Sequence, residues 1–169
     1  MIEEIAKKHS IRCHNMLNHT YNGEPYSVHL YMSREIGEKY KHHIPEDDRD
    51  DVFSSIFEHD TIEDCKELCK FSDLVKITNL RVAMIVKSVT TIDGTRKERF
   101  SDEYYKGIRN TKYATFVKLC DRIANVKNGF DNKNPIINMY KKEHKHFKEM
   151  LYIPGEYEDM WRELDSYFI

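Results

Sequence analysis

Glycine and proline are scarce. With six and four in 169 residues, each one marks a break between elements. Strand-like alternation is scarce as well, which excludes a β-rich fold. No apolar stretch approaches the ~20 residues of a membrane span, and no signal peptide is expected from the acidic start Met1-Ile2-Glu3-Glu4-Ile5. A cytoplasmic protein with no membrane partner is expected. The formal net charge of -2 gives no warrant for nucleic-acid binding. There are four cysteines, Cys13, Cys65, Cys69 and Cys120, and no pair has the two-residue gap of a zinc knuckle or thioredoxin motif. Cys65 and Cys69 stand one helical turn apart, which suits a metal, but reduced thiols are the simpler reading.

A length of 169 residues suits one domain that buries a core without a disulfide or metal staple. An apolar share of 40% argues against disorder, and charges of both signs at 33% describe a solvated helical surface. The expected class is all-α, with a single domain over 1–169. A first helix is expected over Ile5 to Leu17, then a turn at Asn22-Gly23-Glu24-Pro25. From Tyr26 to about Tyr40, Val28, Met32 and Ile36 recur at helical spacing. Pro45 ends that segment, and the acidic run from Asp47 to Asp51 favours a helix start. Val52, Ile56 and Phe57 face inward in this third helix. Ser72 is a candidate cap for a helix continuing through Leu80, Met84, Ile85 and Val89. Thr90 to Arg99 reads as a loop. Asp102 to Asn110 is a short helix, and Tyr113 to Val126 a longer one burying Phe116, Leu119, Cys120 and Ile123. Pro135 opens a helix through Leu151. A packing helix over about 155–168 carries Met160, Trp161, Leu164 and Phe168.

Chemistry concentrates in three places: His29, the segment His59-Asp60-Thr61-Ile62-Glu63-Asp64, and Asp121. His59 with Glu63, and Asp60 with Asp64, are four apart and share a face if the helix continues; if it ends near Asp60, Glu63 and Asp64 sit on a loop at its mouth. His59 and Asp60 suit a metal, with Glu63 and Asp64 beside it, where a water-activating base belongs. Asp121 completes the set. Lys118 and Asn125 lie on its face, a charge and an amide suited to phosphate or sugar oxygens. Two histidines and two carboxylates allow manganese, iron, zinc, cobalt or nickel. The lack of thiolate ligands leans towards Mn2+.

These motifs carry a resemblance. Gly23-Glu24-Pro25-Tyr26-Ser27-Val28-His29, His59-Asp60-Thr61-Ile62-Glu63-Asp64 and Val117-Lys118-Leu119-Cys120-Asp121-Arg122-Ile123-Ala124-Asn125 resemble, in this order, the signatures of the HD superfamily of metal-dependent phosphohydrolases. They are most similar to the hydrolase domains of RelA/SpoT alarmone enzymes and their small stand-alone relatives. Val89-Thr90 resembles a further short element of that family. The resemblance covers about 5–150. It implies a mostly helical, manganese-bound domain that hydrolyses the 3′-pyrophosphate of (p)ppGpp. In that reading His29, His59, Asp60 and Asp121 hold the metal. Glu63 and Asp64 orient and deprotonate water, and Lys118 and Asn125 meet the nucleotide.

The chain also departs from the pattern. Where relatives place Arg or Lys before the Gly-x-Pro-Tyr turn, it has Asn18-His19-Thr20-Tyr21-Asn22, and a basic position near the end aligns with Tyr140. Both are substrate-recognition positions. A nucleotidase or deoxynucleotide triphosphohydrolase therefore stands as the enzymatic alternative, and a non-catalytic nucleotide sensor as the alternative of another class. Tyr26 either stacks near the site or seats the turn. Tyr104, Tyr105 and Arg109 either border the pocket or pack helices. Arg96-Lys97-Glu98-Arg99 reads as a solvated loop within reach of a phosphate. His9, His19, His42, His43, His144 and His146 read as structural or surface residues, while His14 resembles a recurring family histidine near the pocket. A homo-oligomer is compatible with the sequence but not specified by it.

Overall fold

The computed structural model describes residues 1–169 and is helical almost throughout. The helices are α1 (Ile2–Met16), α2 (Ser27–Lys39), α3 (Glu46–Glu58), the single turn α4 (Thr61–Asp64), α5 (Phe71–Ile77), α6 (Leu80–Val89), the single turn α7 (Arg96–Arg99), α8 (Asp102–Asn110), α9 (Ala114–Asp131), α10 (Ile136–Leu151) and α11 (Glu158–Ser166). The expected all-α class is therefore observed. No helix is long and apolar enough to cross a membrane.

The one sheet is a minimal hairpin. β1 (Thr20–Tyr21) pairs antiparallel with β2 (Glu24–Pro25). The two linking residues, Asn22 at φ 51 and Gly23 at φ 82, are both left-handed, which is the backbone that an Asn-Gly hairpin turn requires. This hairpin delivers Tyr21 and Tyr26 to the start of α2.

α9 is the axis of the fold. From Ala114 to Ile123 every residue except Lys118 is buried, which places this helix at the centre of the domain. It packs against α2, α3, α6, α8, α10 and α11. Phe116, Leu119 and Ile123 join Phe147, Leu151, Met160, Trp161 and Leu164 in one core, so the C-terminal helix is part of the same hydrophobic unit. α1 lies across α3 through Ala6, Leu30 and Phe57. Gly37 lets α2 approach α3 closely: a Cβ there would stand 2.6 Å from Ile56 Cδ1. That approach brings the helix bearing His29 against the helix ending at His59.

The structure corrects several sequence expectations. Ser72 is not a cap, because α5 begins one residue earlier and Asp73 accepts from the Lys70 amide at 3.0 Å. The expected continuous helix breaks at Thr78-Asn79, where the Asn79 side chain caps α6 by accepting from Val82 N at 2.9 Å. Leu80 and Met84 lie exposed. On α2, Val28 is also exposed, and the buried face runs through His29, Ser33, Ile36 and Gly37. The expected stripe is rotated because polar residues, not apolar ones, face the site. Within Thr90–Arg99, Thr95 and Glu98 form a capping box that starts α7. α9 continues to Asp131, five residues past the expected end.

Candidate metal centre and its cavity

Four elements bring the expected ligands together. His29 sits in the first turn of α2, His59 closes α3, Asp60 precedes α4, and Asp121 is in mid-α9. His29 Nε2 and His59 Nε2 are 3.1 Å apart. Asp121 Oδ1 is 3.2 Å from the first and 3.5 Å from the second. Asp60 Oδ2 is 2.9 Å from His59 Nε2 and 3.8 Å from His29 Nε2. Donors bound to one ion at about 2.0–2.2 Å stand roughly 2.9–3.6 Å apart, so His29, His59 and Asp121 are spaced as members of one coordination shell, with Asp60 beside His59.

The surroundings support that fit. His59 Nδ1 lies 2.7 Å from Ile56 O, so its proton belongs there and the Nε2 lone pair points to the cluster. Tyr21 stacks on His29 with centroids 4.9 Å apart. Asp121 is held at both oxygens, by Asn125 Nδ2 at 2.6 Å on Oδ1 and Lys118 Nζ at 2.8 Å on Oδ2. Tyr21 OH in turn donates to Asn125 Oδ1 at 2.9 Å, fixing the amide. The Tyr26 hydroxyl donates to Asp60.

The electrostatics agree. Burial opposes ionisation of Asp121, yet the Lys118 ammonium and hydrogen bonds from His29 and His59 hold its carboxyl well below the usual range. Burial likewise opposes ionisation of Asp60, and the His59 charge overcomes it. Burial opposes charging of His59, but Asp60 and Asp121 raise it well above an ordinary imidazole. Two ionised carboxylates thus hold positive charge between them, a role a divalent cation fills with twice the charge of a proton.

The cluster opens into a polar cavity of about 190 Å3. Glu63 and Asp64 both line it but differ. Glu63 Oε1 accepts from Arg99 at 2.6 Å and Oε2 from the Thr91 amide at 2.7 Å, so neither oxygen is free. Asp64 is exposed at the mouth. Desolvation, reinforced by the Asp60 and Glu63 carboxylates, pushes it up to about 7.

Other expectations are redistributed. Lys118 and Asn125 line the cavity, but their polar groups are committed to Asp121. Tyr26 both lines the cavity and seats the turn, stacking on His14 at 4.1 Å. Arg109 is not at this site: it lines a separate cavity with Lys112, Tyr113 and Tyr157, because its position on α8 turns it towards the α10–α11 connection. Tyr105 is buried in the core. Arg96 and Arg99, read as a solvated loop, line the site together with Arg122 and Tyr140. Glu143 binds both Arg96 and, at 3.2 Å, Arg122. The density of charge after the Asp93-Gly94 turn was the available signal for the first two. Arg122 offered none beyond its place next to Asp121. Neither a scan against protein-family models nor a search of curated proteins finds a match for this chain.

Proposed function

We propose that this chain is a metal-dependent phosphohydrolase of the HD type acting on a nucleotide, with removal of the 3′-pyrophosphate of (p)ppGpp as its specific reaction. The observation that carries the reading is the convergence of His29, His59 and Asp121, with Asp60 2.9 Å from His59 Nε2, beside a cavity lined by three arginines. The mixed nitrogen and oxygen donors suit manganese among other divalent transition metals. Bound there, such a metal supplies Lewis acidity and lowers the pKa of a water.

The chain's own residues divide the remaining work. Asp64, whose carboxyl has no other partner, is positioned to take a proton from the attacking water. Glu63 holds Arg99 and the Thr91 amide in place. Arg96, Arg99 and Arg122 offer guanidinium groups to phosphate oxygens, a match in both charge and geometry, and neutralise charge on the leaving phosphate. The cavity volume of about 190 Å3 is below the roughly 300 Å3 at which whole-ligand pockets begin. That favours entry of a phosphate end, with the nucleoside outside.

The test is incubation with Mn2+ and a nucleotide panel including ppGpp, followed by identification of the released phosphate. Pyrophosphate from ppGpp, absent with Asp60→Ala, is the expected result. Orthophosphate from a nucleoside monophosphate, or tripolyphosphate from a deoxynucleotide, would replace the substrate but keep the chemistry. Metal binding without any turnover would overturn the catalytic reading in favour of nucleotide sensing.

A further inference from the structure

A second group of metal-type donors converges outside this centre. His14 lies near the end of α1, His19 just before β1, and Cys65 directly after α4. His14 Nδ1, His19 Nδ1 and Cys65 Sγ lie within 4.8 Å of one another. We propose that these three residues form a second metal site, selective for a thiophilic cation such as zinc.

Geometry carries the argument. His14 Nδ1 and His19 Nδ1 are 2.9 Å apart, and Cys65 Sγ is 4.0 Å from His19 Nδ1. A tetrahedral zinc with nitrogen at about 2.0–2.1 Å and sulfur at about 2.3 Å has edges of roughly 3.3–3.6 Å. The two spacings at His19 bracket those edges, and the His14–Cys65 edge lies within 4.8 Å. Backbone structure already fixes the donors. Asn18, at φ 54, reverses the chain after α1, and the His19 amide donates to His14 O at 3.0 Å. The Cys65 amide donates to Thr61 O at 2.9 Å. His14 and Cys65 are fully buried, while His19 is half-buried, which leaves an entry route and a fourth position for water.

Ligand softness separates the two sites. Two imidazoles with one thiolate favour zinc or cobalt over manganese, whereas two imidazoles with two carboxylates accept manganese. The second site would also brace the first. It would tie α1 and the end of α4 to the start of the hairpin. His14 stacks on Tyr26, and Tyr26 bonds Asp60.

Cobalt tests this directly, because only thiolate ligation gives a near-ultraviolet sulfur-to-cobalt charge-transfer band. The metal-stripped full chain is titrated with Co2+ and the bound stoichiometry measured in parallel. Two equivalents are expected, with a charge-transfer band that Zn2+ abolishes. Cys65→Ser should lose the band and one equivalent yet keep the visible bands of the carboxylate-rich site, which also report that it is folded. His19→Ala, at a half-buried loop position, should weaken the charge-transfer site by more than about tenfold, the lower bound for losing even an outer-shell partner. Cys13→Ser should leave the band unchanged. Absence of the band in the wild type, or its survival in Cys65→Ser, would overturn the proposal.

Discussion

Two places in this chain bring two imidazoles and a carboxylate together. His29, His59 and Asp121 do so in the interior, and His42, His43 and Asp159 do so at the surface. The interior group draws on three helices, and neighbours hold its members: Ile56 O on His59, Tyr21 on His29, Asn125 and Lys118 on Asp121. The surface group uses adjacent residues of a 3-10 turn (Lys41–His43) and the start of α11. There His42 and His43 each bind a different oxygen of Asp159, at 2.9 and 2.5 Å. The His42 side chain is 59% exposed, so water competes for every donor. Similar composition therefore gives a preorganised shell in one case and a solvated ion pair in the other. What distinguishes them is the fixed outer layer, which sets ligand orientation before any metal arrives.

Several measurements would break or sharpen this contrast. The largest effect belongs to Asp60→Ala and His59→Ala, which should eliminate both stoichiometric metal at the interior group and all turnover. Inductively coupled plasma analysis beside the phosphate assay reads both. Next comes Asp64→Asn, which should keep the metal while slowing hydrolysis by about 10²–10⁴-fold, the range for losing a general base. Glu63→Gln should cost less than Asp64→Asn. The reverse ranking in kcat would exchange their roles. Tyr21→Phe removes only the hydroxyl that fixes Asn125 and should lower metal affinity by about 10–100-fold. Calorimetric titration giving wild-type affinity would show that the outer layer does not matter.

Acid separates the site from a purely structural tie. A hydrogen bond from Arg81, with another from Tyr113, holds Asp48 below the ordinary carboxylate range. Its contribution to stability should be complete above the unfolded value near about 4 and decline as pH falls below it. Denaturation midpoints of Asp48→Asn should therefore change less between neutral and acid pH than those of the wild type. The smallest effect is expected at the surface group, where Asp159→Ala should leave turnover and metal content unchanged and cost at most about 1 kcal/mol.

Much of this was legible in the chain. The boundaries of α8 and α10 follow from Asp102 and Asn110 and from Pro135 and Leu151. The candidate residues His29, His59, Asp60 and Asp121 stand out because imidazoles and carboxylates recur there in three short motifs. The break at Thr78-Asn79 was missed because Leu80, Met84, Ile85 and Val89 read as the continuation of a helix capped at Ser72. The rotated face of α2 was missed for a related reason: hydrophobic periodicity cannot find a face buried around a polar site. Lys118 and Asn125 line the cavity as the spacing predicts, but their bonds to Asp121 were not legible, since i to i+4 spacing shows shared faces and not hydrogen-bond partners.

The sequence by itself determined the helical class, the turn at Asn22-Gly23 and the candidate ligand residues, because local backbone preference and residue chemistry are written position by position. Only the tertiary structure decided which carboxylate is free, which arginines reach the cavity and which of two histidine clusters is preorganised. Those outcomes depend on hydrogen-bond partners far apart in sequence, such as Glu63 with Arg99, 36 residues away, and Tyr21 with Asn125, 104 residues away, and on which groups the packing of α9 removes from water.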